Sequence, residues 1–123
     1  MSFQETLQKE MMAIPEDEDW GLRAAETILQ RAYHERASDL HLQEMHELLK
    51  IQVRRDGVLQ DAVYISADRR NLLLMRLKIL SGLQNVVHPH PFDGRIIWLP
   101  PDTDTPITLR SSFLPTINGE KVV

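Results

Sequence analysis

The chain has 123 residues, 42% of them hydrophobic, with a formal net charge of −4 and no cysteine. That length supports a single domain with one core. The absence of cysteine excludes a disulfide framework and a thiolate metal site, and the charge supplies no basic field for tracking nucleic-acid phosphates. Glu16, Asp17, Glu18 and Asp19 together carry as much negative charge as the chain's net value, so the acidity is local. The first residues, MSFQETLQKEMMAI, have neither a cationic leader nor a long apolar run, so they read as neither a signal peptide nor a membrane span. The expectation is a soluble, cytoplasmic protein without direct membrane insertion.

In chain order, residues 3–14 can form a short helix with Phe3, Leu7, Glu10, Met11 and Ile14 on one side, ended by Pro15 and the acidic run. Residues 1–19 are therefore set apart as an N-terminal arm, and the sequence leaves open whether it is ordered or mobile. Asp19 is in position to cap a helix from Trp20 to about Glu35, with Leu22, Ala25, Ile28, Leu29 and Ala32 on the face meant for a sheet. Alternation then predicts three strands, at Ser38–Gln43, Leu48–Arg55 and Val58–Ile65. Asp56-Gly57 between the last two is a strong hairpin signal, because both central positions of the favoured turn need positive φ.

Ser66 is placed to cap a second helix from Ala67 to Ser81, with Gly82 as its stop. Its apolar residues, Leu72, Leu73, Leu74, Met75, Leu77, Ile79 and Leu80, surround most of the circumference, which predicts burial on several sides. Arg69 and Arg76, seven residues apart, share a basic edge. Residues 83–94 read as an irregular loop stiffened by Pro89 and Pro91. Strands follow at Arg95–Leu99 and Ile107–Phe113; in the latter, Ile107, Leu109 and Phe113 share one face and Thr108, Arg110 and Ser112 the other. Asn118-Gly119 turns the chain into a strand beginning at Lys121. Hairpin-joined strands with two main helices give an α+β fold, an antiparallel sheet with helices on one face.

Four segments, in this order, resemble the type II secretion and type IV pilus assembly ATPases. They are RASDLHL (36–42), VRRDGVLQ (53–60), RLKILSGL (76–83), and the run containing DGR (93–95), LRSS (109–112) and LPTINGEKVV (114–123). The resemblance covers roughly residues 21–123, the second N-terminal domain that precedes the ATPase core, and it implies a PAS-like sheet-and-helix module for residues 20–123. It also implies a hexameric full-length protein that uses ATP and magnesium. The partners implied are its own ATPase core, neighbouring subunits and an inner-membrane platform, placing the protein peripherally at the inner face of the membrane. In the family, the arginine of DGR and the one in the following strand reach toward the nucleotide phosphates; here these are Arg95 and Arg110. Lys121 matches a family position that is usually basic and is held as an interdomain contact.

The sequence contains no G-x-x-x-x-G-K-[ST], so this chain is not expected to hold a cofactor or hydrolyse ATP unaided. By spacing alone, Arg95 and Arg110 read as surface arginines pairing with nearby carboxylates such as Asp93, and it is the family motif that favours the phosphate-contacting reading. His88 and His90 flank a proline without a helical H-x-x-x-H partner, and no metal site is expected. His41 reads as a strand-surface residue tied to Asp39 or Glu44, and Ser38-Asp39 as a helix-to-strand turn. The runner-up function is a non-catalytic adaptor that binds secretion machinery; a PAS-like sensor lacks any ligand signature.

Overall fold

The computed structural model describes residues 2–82, 91–116 and 119–123. Helix α1 (Phe3–Met12) starts at Ser2, whose side-chain oxygen accepts from the Glu5 amide. Helix α2 (Trp20–His34) follows, ending at Arg36 in the left-handed region with the Ala37 amide returned to the Ala32 carbonyl. A meander of β1 (Asp39–Glu44), β2 (Leu48–Arg55) and β3 (Val58–Ser66) leads into α3 (Ala67–Leu80). The chain closes with β4 (Phe92–Trp98), β5 (Ile107–Thr116) and β6 (Gly119–Val122). All neighbouring strands are antiparallel in one six-stranded sheet of order β3-β2-β1-β6-β5-β4. This is the α+β architecture the patterning predicts, and β6 is the strand that joins its two halves.

One sheet face is dry. Leu42, Leu49, Ile51, Val53, Ala62, Val63, Ile65, Ile96, Trp98, Phe113 and Val122 are buried against Ala24, Ala25, Ile28 and Leu29 of α2 and Leu73, Leu74 and Leu77 of α3. The two helices meet closely because Gly21 has no side chain: a Cβ there would lie 2.5 Å from the Leu72 carbonyl oxygen. The Asp56-Gly57 hairpin takes the left-handed conformation at both positions (φ 51° and 79°), as its sequence requires.

Several expectations change. The N-terminal arm is ordered: Leu7 is fully inaccessible and Met11 nearly so, and Arg31 of α2 donates to both carboxylate oxygens of Glu10, at 2.8 and 3.1 Å. Burying a leucine of this kind contributes about 1.5–3 kcal/mol. On α2 the inward face is Trp20, Gly21, Ala24, Ala25, Ile28, Leu29 and Ala32, while Leu22 is exposed. Neither Asp19 nor Ser66 makes a side-chain cap bond; Asp17 instead accepts from the Asp19 amide and from Arg23. Helix α3 buries only one stripe, leaving Leu72, Met75 and Ile79 exposed. Of its basic edge, Arg69 is ion-paired with Glu16 and lies over the Trp20 ring. The side chain of Phe3, the loop from 83 to 90 with His88 and Pro89, and Asn118 lie outside the described residues.

Candidate functional site

The fourth strand begins at Phe92, not Arg95, so DGR is part of the sheet. The reason is on the opposite strand: Phe92, Asp93 and Gly94 pair with Phe113, Ser112 and Ser111, and the ladder holds them extended. Gly94 is required there because a Cβ would lie 2.8 Å from both Cβ and O of Ser81, at the end of α3. A strand-breaking residue thus marks a close approach.

This register sets Arg95 directly opposite Arg110. Since side chains alternate along a strand, Asp93, Arg95 and Ile97 share the outer face with Thr108, Arg110 and Ser112, while Ile96, Trp98, Ser111 and Phe113 point into the core. Both arginines are exposed and neither has a hydrogen bond or ion pair among the described residues. Asp93, the carboxylate that spacing offers as a partner, instead accepts from Ser112 Oγ at 2.9 Å. Like charges directly opposite in an antiparallel pair are destabilising. Two guanidinium forks side by side without a protein carboxylate form a surface chemically matched to phosphate oxygens.

The remaining expected residues lie elsewhere on the sheet. Lys121 pairs with Leu114, four positions along β5 from Arg110 on the same face, a separation of about 13 Å at normal strand rise. Asp39 is structural: it lies 3.6 Å from Arg54 Nε and accepts from Ser38 Oγ at 2.9 Å. His41 has neither Asp39 nor Glu44 as a hydrogen-bond partner. Its imidazole is held below the usual histidine range, chiefly by burial, then by Lys121, with Arg54 adding to this and Asp39 opposing it. Glu44 is 3.3 Å from Arg70 Nε. Among the described residues no group of three or more His, Asp or Glu side chains is arranged to hold a metal ion.

The residues that spacing missed are the inward members of the same motifs. Ser111 Oγ donates to Ser81 Oγ at 2.8 Å, and Ser81 Oγ donates to the Leu77 carbonyl at 2.8 Å, both buried. Next to them Lys78 Nζ lies 2.6 Å from Glu120 Oε1, with side-chain exposures of 7% and 11%. A signal was available: by alternation Ser111 falls on the face of Ile107, Leu109 and Phe113, and a serine in an apolar row needs a partner.

The described residues thus form an α+β sheet domain with two exposed, opposed arginines on its outer face and a buried serine pair behind them. The comparisons place it: the profile of the Type II/IV secretion system protein family matches residues 16–123, and the chain belongs to that family. It is 37% identical over 83% of its length to the type IV pilus assembly ATPase TfpB of Acinetobacter baylyi. It is 35% identical over 88% of its length to the protein transport protein HofB homolog of Haemophilus influenzae, and 34% identical over 88% to the type II secretion system protein E of Pseudomonas aeruginosa. It spans 17%, 23% and 21% of those proteins, about a fifth of the length of the curated relatives it matches. The relatives it matches include proteins named type II secretion system protein E and type IV pilus assembly ATPase.

Proposed function

We propose that this chain is the arginine-supplying domain ahead of the nucleotide-binding core of a hexameric ATPase that powers type II secretion, type IV pilus assembly or DNA uptake. Arg95 and Arg110 contact the phosphates of ATP held by the core and offset the charge that develops on the transferred phosphoryl group. One observation carries this reading. The two arginines are opposed in register on an exposed strand pair, and the adjacent carboxylate is engaged by a serine instead of by either of them. The guanidinium face fits phosphate oxygens, and magnesium would be held with the nucleotide by the core. The domain's other contacts are its own core, neighbouring subunits and an inner-membrane platform. No helix among the described residues is long and apolar enough to cross a membrane, and attachment at the cytoplasmic face runs through those partners.

An arginine of this kind is worth roughly 10³–10⁵ in rate in phosphoryl transfer, about 4–7 kcal/mol of barrier. In the complete ATPase, Arg95→Ala and Arg110→Ala should each lower turnover strongly while the far-ultraviolet dichroism of the domain stays unchanged and its melting temperature does not fall. Normal turnover in both variants overturns the reading.

A further inference from the structure

The arginine-bearing hairpin is attached to the rest of the domain from behind. On the buried side of β4 and β5, one residue from each arginine, Gly94 and Ser111 form the neighbouring cross-strand pair. Both touch Ser81, the residue that caps the C-terminus of α3: Gly94 by direct backbone approach, Ser111 through the buried hydroxyl bond. Ser81 is itself tied to the Leu77 carbonyl, so the chain of hydroxyls ends in the helix backbone. One helical turn earlier, Lys78 binds Glu120 of β6, the strand beside β5. The last turn of α3 thus grips three strands, while the outer face of the same hairpin carries two opposed positive charges that push apart.

We infer that Ser81, Ser111 and Gly94 are positioning residues, a clamp that fixes the β4–β5 hairpin on the end of α3 and sets the direction in which Arg95 and Arg110 project. The inference rests on the arginine-supplying role proposed above. Buried hydroxyls bonded in series to the helix backbone specify a single arrangement, because a shift of the strand leaves the Ser111 hydroxyl without a partner in a dry core. The arginines need that fixity, since a displacement of about 1 Å at a catalytic group costs up to about 100-fold in rate.

The test uses the complete ATPase with Ser111→Ala, Ser81→Ala, Arg95→Ala and the Ser111→Ala/Arg95→Ala double variant, measuring kcat, ATP KM, hexamer assembly and melting. Ser81→Ala removes the same bond from the helix side and serves if Ser111→Ala does not fold. The expected result is a kcat lowered by about 10- to 100-fold at unchanged KM in assembled hexamers. In the Arg95→Ala background the serine change should cost less than it costs the parent, because the part of its effect that runs through Arg95 is already gone and only the Arg110 part remains. A serine change that multiplies the Arg95→Ala defect in full, or that leaves turnover normal while Arg95→Ala abolishes it, overturns the clamp and leaves the arginine role standing. Normal turnover in Arg95→Ala and Arg110→Ala overturns both.

Discussion

The outer faces of the two sheet halves differ in how their polar groups are settled. In the β1–β3 meander, Arg54 lies beside Asp39 and donates to the Gly57 carbonyl, and Gln52 and Tyr64 both donate to Asp61. In the β4–β5 hairpin the one nearby carboxylate bonds a serine, and two arginines stand opposed. The second half leaves its two arginines without such partners among the described residues, which is what the proposed contact with phosphate would use.

The comparison can be broken most severely from the buried side. Lys78→Met leaves Glu120 buried without its cation, which should cost about 3–5 kcal/mol of unfolding free energy, and Lys78→Met/Glu120→Leu should recover most of it. Urea unfolding of the chain reads both; a single variant as stable as the parent would mean that the ion pair does not hold the β4–β6 half to α3.

A smaller effect of opposite sign tests the outer face. Arg110→Glu places a carboxylate opposite Arg95 and should stabilise the chain by about 0.2–1 kcal/mol, raising its melting temperature at low salt and less so at high salt. An unchanged or lower melting temperature would show that the opposed arginines do not repel. The same variant should fail in the complete ATPase, so that stability and turnover move in opposite directions.

The smallest effect belongs to His41. Its folded-state pKa lies below the ordinary 6.5, so the unfolded chain takes up the proton first. His41 therefore contributes a loss of stability that begins as pH falls through about 6.5 and is complete below its folded value. Melting curves from pH 7.5 to 5.5 should show a steeper fall for the parent than for His41→Gln; equal slopes would mean that burial and Lys121 leave the imidazole unaffected.

Much of the fold was legible because it depends on local signals. The alternation of Leu49, Ile51 and Val53 and the Asp56-Gly57 turn locate the meander without tertiary information. What was hidden depends on contacts across the chain. Gly94 looks like a loop glycine until Ser81 is seen against it, and Leu7 looks like part of a terminal tail until β3 and α2 enclose it. Leu22 looks core-facing until Gly21, packed on Leu72, rotates the buried stripe of α2. At the candidate site, the residues Arg95 and Arg110 came from the family motif. Their opposition followed only from the register, which single-sequence spacing leaves free by one residue or more.

Strand β6 gives the fold an order of assembly. The meander and the β4–β5 hairpin are each made of neighbouring segments and can pair as soon as they are synthesised. They share a sheet only through β6, which pairs Leu42 with Val122 from opposite ends of the chain. Such a contact closes a long loop and forms late. Until it forms, the apolar backs of two small sheets remain open to other chains. The four residues that finish the sheet also bring Glu120 to Lys78, so β6 is tied to α3 in the same event that makes the domain one body.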